Sequence, residues 1–330
     1  MIQRLYFKIK IIFGYKIIHV MHMSKETKMM KQHYVPKEHI RRFEKNGNVN
    51  VYLYDENKEI NSFVSSAANV CKFTNYYEDD PYKEGSTEKI LKRMEDECQH
   101  EIDIVQTKSI SDANCQILVK YVSMLMNRSI LLGMITDRMA TSGETFGANG
   151  KKAQSFTIEK SKEAFMFADL NKMSCTCITS YGREFITADI PVTQLDLREL
   201  PELSLHAKFI GRNIKDPTIY SKKELIDDYT NALTERNKYR VYFCPISSSK
   251  CLIVYSREYS NFFKDLAIRI GPDPALSVNK RIVETSLCAV YSCSDKKEEI
   301  SEILNSLPPI TGDKLKFMRE LKIIQRNGRN

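Results

Sequence analysis

The sequence predicts an α+β fold, in which antiparallel hairpins form a mixed sheet that packs against a bundle of long helices. Residues 49–63 alternate apolar and polar residues on either side of a turn, and residues 239–256 form two apolar runs joined by a Ser-rich turn, both of which are typical of hairpins. Two other stretches carry an apolar stripe at helical spacing, at 87–108 and 111–139. Because hairpins and helices occur in blocks and do not alternate strictly, the pattern favours α+β over a doubly wound sheet.

The first half of the chain yields the clearest elements. The hairpin at 49–63 turns near Asp55, and a polar loop leads to the helix at 87–108, for which Ser86 is a plausible N-cap. A second helix is expected to begin near Ser111 and to end at about Met139. A glycine-rich linker or lid at 141–154 and a third helix at 158–173 follow.

The second half mixes short strands with helices. Two strands flank residues 180–183, and the second ends at Asp189. After the hairpin at 239–256, a long helix is predicted at about 277–291, and two short helices close the chain. We expect one α+β domain over residues 31–293, with a polar insert near 195–238, followed by a basic helical segment at 294–330.

Residues 1–30 are interpreted as a basic N-terminal extension. Lys8, Lys10 and Lys16 interrupt its apolar runs well before the roughly 20 residues that a spanning helix needs, and no small-residue cleavage site follows. The sequence therefore predicts neither secretion nor integral membrane insertion. Further methionines within this segment make a mis-assigned start codon one explanation for it, and an interfacial amphipathic anchor is the other.

Composition indicates a globular protein with basic ends. The chain has 330 residues, of which 42% are hydrophobic and 28% charged, enough to bury a sizeable core. Residues 1–45 hold eleven Lys or Arg and three Glu, which equals the whole formal net charge of +8. Such ends can attract nucleic acid or anionic lipid. Nine cysteines without a CxxC pair indicate reduced thiols, a cytoplasmic location and no structural zinc.

Charged residues on the two long helices are candidates for a site. Glu88 and Glu95 are seven residues apart, so they fall within about 20° of each other on the helix, at the border of its apolar stripe. Arg128 lies inside the apolar face of the next helix and needs a carboxylate or phosphate partner there. The three residues form either a structural ion pair or the anion-binding half of an active site.

Asp189 and His33 are the other two candidates. Asp189 follows a buried strand, and its side chain is expected either at a sheet edge where ligands bind or in a local Asx turn. His33 lies before Pro36, which predicts an extended backbone and a helix whose N-terminal amides face an anion near the imidazole. The histidine is either a hydrogen-bonded structural residue or a reactive one.

Taken in order, the segments "QHYVP", "NYYEDD", "TEKILKRMEDE", "ITADIPV" and "VNKRIVETSLCAVYS" closely resemble the domain of unknown function 4238 family, over roughly residues 31–292. The resemblance implies no reaction. It departs from the family pattern at Ala188, where Ser is usual, and at Ile190, where the loss of Asn removes a donor and an acceptor beside the aspartate. The resemblance groups the following residues: His33, Tyr34, Pro36, Glu88, Glu95, Arg128, Asp189, Pro191 and Asn279.

These residues suggest a cytoplasmic metal-dependent hydrolase that acts on a phosphodiester, most simply a nuclease. Glu88, Glu95 and Asp189 would hold Mg²⁺ or Mn²⁺, His33 would be general base or ligand, and Arg128 would offset charge on phosphorus. The basic ends would hold the nucleic acid. The alternative is a non-catalytic binding or sensing module whose motif residues form a buried polar network. The chain lacks a glycine-rich phosphate loop, a GxSxG elbow and HExxH, which argues against P-loop, α/β-hydrolase and zincin chemistry.

Overall fold

A computed structural model describes residues 31–74, 86–130, 170–197 and 237–327. Within these ranges the chain forms ten strands in three antiparallel sheets and seven α-helices, which confirms the predicted α+β class. The predicted N-terminal extension, the glycine-rich linker, most of the third helix and most of the polar insert lie outside the described residues. No helix in the described ranges combines the length and the apolar character needed to cross a bilayer.

The first four-stranded sheet has the order β3-β2-β10-β6. Its hairpin is the one predicted at 49–63, with Val49 opposite Ser65 and Tyr54 opposite Ile60. The strand β10 lies between β2 and β6, although it comes more than 220 residues after β2 in the chain. The strands are β2 (Val49–Tyr54), β3 (Ile60–Ser65), β6 (Thr187–Ala188) and β10 (Ala289–Ser292).

The second four-stranded sheet has the order β5-β9-β8-β7, and its inner strands β9 and β8 are buried on both faces. Alternate residues of β8 belong to different cores. Val241 and Phe243 pack with the helices α4 (Phe262–Ile270) and α5 (Pro274–Thr285), whereas Tyr242 and Cys244 pack with the helices α2 (Thr87–Thr107) and α3 (Cys115–Asn127). This follows from the two-residue period of a strand. The strands are β5 (Met173–Thr179), β7 (Thr193–Asp196), β8 (Arg240–Pro245) and β9 (Lys250–Ser256).

A two-stranded sheet contains the start of the segment QHYVP, residues 32–36, which is called the N-terminal motif below. Its strands are β1 (Lys31–His33) and β4 (Lys72–Thr74), which pair antiparallel. The helix α1 (Lys37–Arg41) follows directly, with Pro36 at its N-cap position. The sequence suggested an anion site at the N-terminus of this helix, near His33. Because α1 has only five residues, the summed dipole of its peptide groups is too small to form such a site.

Of the two long helices, α2 agrees with the prediction at both ends, whereas α3 differs from it at both ends. The helix α2 (Thr87–Thr107) has the predicted cap, since the Ser86 side chain accepts the Lys89 N–H. The helix α3 (Cys115–Asn127) begins four residues after Ser111, because Asn114 caps it by accepting two amide N–H groups. It ends with Arg128 as its C-cap, where the Ser129 N–H bonds to the Met126 carbonyl and tightens the last turn. A continuous helix to Met139 was therefore wrong, and residues 131–169 lie outside the described ranges.

The predicted helix at 277–291 is two elements. The helix α5 (Pro274–Thr285) ends at Ser286, and Ala289 begins β10. The apolar run before Tyr291 has no period that separates strand from helix, and pairing with two strands decides for the strand. The helix α4 (Phe262–Ile270) was not predicted, because its aromatic and β-branched residues favour strands locally.

The C-terminal segment is helical, as predicted, and contributes to the core. The helices α6 (Lys297–Ser306) and α7 (Gly312–Asn327) follow β10. Their buried residues Ile300, Leu304 and Met318 pack with both four-stranded sheets and with α5. The described part of the C-terminal segment, as far as Leu321, is therefore packed onto the domain that the sequence placed at 31–293.

His39 connects three elements in the interior. It is fully buried on α1, its Nδ1 lies 2.8 Å from the Tyr121 hydroxyl of α3, and its Nε2 lies 3.0 Å from the Thr187 Oγ1 of β6. Burial, and next the nearby charge of Arg42, lowers the pKa of His39 to about 3. The neutral imidazole therefore belongs to the folded state.

This pKa predicts a loss of stability in acid. Below pH 6.5 the unfolded chain protonates His39 and the folded chain does not, so the free energy of unfolding falls by about 1.4 kcal/mol per pH unit until roughly pH 3. We expect His39→Gln to be less stable at pH 7, because one hydrogen bond is lost, and to lose less stability between pH 7 and pH 5 than the wild type. Urea unfolding at both pH values measures this. His100→Gln, at an exposed histidine of α2, is the control, and parallel curves for wild type and His39→Gln would contradict the prediction.

Candidate functional site

The pairing of β1 with β4 places His33 opposite Lys72. Both side chains converge on one carbonyl: Lys72 Nζ donates to the Ala68 oxygen at 2.8 Å, and the His33 ring also bonds to the Ala68 backbone. Lys72 Nζ further donates to Asn69 Oδ1 at 3.2 Å. A lysine that the sequence did not single out is thus beside the motif histidine. Only the strand pairing, which joins residues about 40 positions apart, brings them together.

The imidazole of His33 is surrounded by cations. Burial makes the largest contribution to lowering its pKa to about 4, and the charges of Arg128, Lys72 and Lys37 lower it further, against the opposing hydrogen bond to Ala68. The residue is only partly buried. At neutral pH it is therefore an uncharged base in a positive field.

Arg128 connects the two long helices to the N-terminal motif. Its side chain is 2% exposed, Nη1 donates to Glu95 Oε1, and Nη2 donates to the backbone carbonyl of His33. Glu95, one of the two carboxylates of α2 that the sequence proposed as its partner, forms an ion pair with it, and the Glu95 side chain is 24% exposed. Glu88, two turns earlier on α2, is half-buried and has one oxygen shielded from solvent. The guanidinium thus fixes the backbone that presents the imidazole.

Asp189 is enclosed by backbone amides. The residue is fully buried, its Oδ1 accepts the Leu287 N–H at 2.9 Å, and its Oδ2 accepts the N–H groups of Cys288 and Ala289 at 2.8 and 3.0 Å. Burial raises its pKa, and these three donors oppose that shift. The side chain is therefore neither at an open sheet edge nor in a local Asx turn, because its partners lie almost 100 residues further along the chain.

Tyr34 belongs to a buried group of hydroxyls and a thiol. Its N–H donates to the Cys71 carbonyl at 2.9 Å, its side chain bonds to the Cys71 thiol, and that thiol donates to the Tyr291 hydroxyl at 3.1 Å. Burial, and then neighbouring groups that include Asp189, raise the pKa of both tyrosines. These groups stay protonated at neutral pH. Cys71 and Tyr291 were missed because nothing near them in the sequence marks this contact.

Asn279 positions the segment that precedes Asp189. It is fully buried, its Oδ1 accepts the Ile186 N–H at 3.1 Å, and its Nδ2 donates to the Glu184 carbonyl at 2.9 Å. Pro36 and Pro191 are also buried. Burial makes these three residues part of the scaffold.

The structure joins His33, Glu95 and Arg128 through the hydrogen bonds of the guanidinium, whereas the Asp189 carboxylate is bonded to the backbone N–H groups of residues 287–289. Among the described residues, no three His, Cys, Asp or Glu side chains are arranged to hold a metal ion. Both oxygens of Asp189 are occupied by amides, and Glu95 is paired with Arg128. The three predicted carboxylates do not fit a shared Mg²⁺ or Mn²⁺ site in this arrangement, since such an ion needs several free oxygen ligands.

The amide cage predicts a large effect of Asp189→Asn. The asparagine has nearly the same shape, but its NH₂ group would face an N–H donor and leave a buried donor unsatisfied. We expect the free energy of unfolding in urea to fall by about 3 kcal/mol, because hydrogen bonds to a charged acceptor are the stronger ones. Asp96→Asn, at an exposed position of α2, is the control. An Asp189→Asn protein as stable as this control would show that the cage contributes little.

The ion pair predicts a smaller effect of Glu95→Gln. The amide can still accept from Arg128, but a guanidinium that is 2% exposed loses its counter-charge. We expect a loss of about 2 kcal/mol in the free energy of unfolding. Glu97→Gln is a matched control on the same helix, because Glu97 pairs with Lys120 at 2.6 Å while 58% exposed, and such pairs contribute at most about 1 kcal/mol. Equal losses in the two variants would contradict the prediction.

Comparisons with known proteins define the family. The search of curated proteins found no match, and the search of solved structures found none. A comparison with protein families matches residues 31–296 to DUF4238, described as a protein of unknown function. The match begins at β1 and ends just before α6, so it includes His33, Arg128 and Asp189. Because it covers more than half of the chain, the protein belongs to the DUF4238 family.

Proposed function

We propose that the protein binds a phosphodiester, most simply of a nucleic acid, at the surface around His33, and hydrolyses it there. The observation that carries the proposal is an uncharged, partly exposed imidazole beside Arg128, Lys72 and Lys37. An anion among these cations is attracted by all of them. It also cancels the field that disfavours the imidazolium, so a bound phosphate raises the pKa of His33 towards the range of an effective general base.

The residues around the imidazole divide the work. His33 accepts the proton of the attacking water. Lys72 uses two of its three N–H groups on Ala68 and Asn69, which leaves the third for a phosphate oxygen. Arg128 is almost fully buried and bonded to Glu95, so it acts as a positioning residue that orients the His33 backbone and adds positive field. The basic stretch in α7 and the basic residues 1–30 would add electrostatic attraction along the nucleic acid.

The roles given above to His33, Lys72 and Arg128 include no metal ion. Whether cleavage requires one is a question for the experiment. Asp189 is unsuited to be a ligand because its oxygens are enclosed. Glu88 and Glu95 are the carboxylates of α2 that an Mg²⁺ or Mn²⁺ ion would use, if Arg128 released Glu95. A cytoplasmic location is also proposed, and the nine cysteines, all free thiols, support it.

The first test measures binding of the full-length protein to a fluorescent single-stranded oligonucleotide by anisotropy. We expect affinity to fall with salt, with a slope of about 0.7 in log Kd per log salt for each phosphate contact. Lys72→Ala should lower the slope by about that amount. Lys280→Ala, at an exposed position of α5, is the matched control. If the protein does not bind at low salt, or if the two variants have equal slopes, the surface around His33 is not the binding site.

The second arm measures cleavage of the same oligonucleotide with Mg²⁺, with Mn²⁺ and with EDTA. We expect His33→Gln to keep binding and to lower the cleavage rate by about 10²- to 10⁴-fold, which is the usual contribution of a general base. In parallel, NMR titration of the histidine rings should show the His33 pKa rising when a dinucleotide is added. Binding without cleavage in all three buffers would refute the hydrolase and keep the binding site.

A second candidate is a non-catalytic binding or sensing module. The enclosed carboxylate of Asp189 favours it, since the most buried acidic residue of the motif serves the backbone and has no route to a substrate. Under this candidate, Glu95→Gln and Asp189→Asn lower stability, and no oligonucleotide is cleaved under any condition. Cleavage that depends on His33 would exclude it.

A further inference from the structure

Two cysteines from different layers meet at the beginning of α3. Cys115 is the first residue of this helix, and Cys175 lies in β5. Both are partly exposed free thiols. The Cys175 thiol donates to the Cys115 carbonyl oxygen at 3.8 Å, and the Cys115 thiol interacts with both the side chain and the backbone N–H of Cys175. Residues 60 positions apart in the chain therefore bring their thiol groups together.

The surroundings favour the thiolate of Cys115. The hydrogen bond from Cys175 makes the largest contribution, the side chains of Ser174 and Arg257 add to it against burial, and the pKa of Cys115 falls to about 6. Arg257 follows β9, and its Nε is fixed by the Met173 carbonyl at 2.9 Å. The amide dipoles at the first turn of α3 act in the same direction. The pKa of Cys175 is raised, first by its hydrogen bond to Cys115, so it remains the thiol of the pair.

We propose that Cys115 and Cys175 form a redox site, in which a hydroperoxide oxidises Cys115 and Cys175 then closes a reversible disulfide. The Cys115 thiolate attacks the peroxide oxygen, the O–O bond breaks, and Cys115 becomes a sulfenic acid while the peroxide leaves as water or alcohol after protonation. The Cys175 thiol displaces the sulfenic hydroxyl as water, which forms the S–S bond. Two thiols lose two electrons and two protons, and one hydroperoxide takes them up.

The arrangement suits a disulfide because the Cys175 thiol already lies against the Cys115 residue, at 3.8 Å from its carbonyl oxygen. The bond requires the two sulfur atoms to approach to about 2.05 Å. Cys177 projects from the same face of β5 as Cys175, and it is the competing partner. Its thiol is bonded to the Ile178 carbonyl, whereas the Cys175 thiol is bonded to the Cys115 carbonyl.

The test uses the reduced full-length protein and hydrogen peroxide. We expect the intact mass to fall by two hydrogen atoms, peptide mapping to show a Cys115–Cys175 bond, and dithiothreitol to reverse the change. Cys175→Ser should instead leave a sulfenic acid at Cys115 that dimedone traps. Cys115→Ser should form no disulfide, and Cys293→Ser, at a partly exposed thiol after β10, should behave as the wild type.

A second readout follows the rate of alkylation of Cys115 by iodoacetamide against pH. We expect the rate to level off above about pH 7, while that of glutathione in the same buffer keeps rising beyond pH 8. The proposal is overturned if Cys115 follows the glutathione curve, if peroxide links Cys115 to Cys177, or if Cys293→Ser removes the disulfide.

Discussion

The first sheet depends on one buried carboxylate. Asp189 accepts three consecutive backbone N–H groups, from Leu287 to Ala289, and returns its own N–H to the Ala289 carbonyl. A buried charge costs several kcal/mol unless donors surround it, and here the donors are the backbone N–H groups of the segment that leads from α5 into β10. The interaction therefore holds the beginning of β10 against the end of β6, while pairing with β2 and β6 makes the segment a strand.

The motif residues divide into an enclosed part and an accessible part. Asp189, Tyr34, Cys71 and Tyr291 lie in the interior, whereas His33, in the β1–β4 pair, is partly exposed. Arg128 links the two, since it holds the His33 carbonyl and is followed in the chain by Ile130, which packs in the same core as Tyr34. A sequence motif whose members share one site was thus a reasonable hypothesis, but only some of them are near the imidazole.

Local patterns were sufficient for elements whose environment is set by their own periodicity. The β2–β3 and β8–β9 hairpins and α2 with its Ser86 cap fall in this group. The apolar positions around Arg128 also predicted that it is buried and needs a carboxylate partner from the preceding helix, which is Glu95. What escaped prediction depends on long-range pairing. The strand identity of 289–292, the cage around Asp189 and the position of Lys72 beside His33 arise from contacts that no window of sequence contains.

The family match ends at residue 296, in the connection between β10 and α6, where several contacts stabilise the fold. The Tyr52 hydroxyl of β2 accepts the Lys296 N–H at 2.6 Å and contacts Asp295 at 3.0 Å. The next ten residues form α6, whose buried residues belong to the same hydrophobic core as residues of both four-stranded sheets. The residues matched by the family are thus fewer than the residues that contribute to the hydrophobic core. A fragment made for expression or crystallisation that stopped at residue 296 would lack α6 and α7, which contribute to the hydrophobic core. Its C-terminus would also lie directly beside Tyr52.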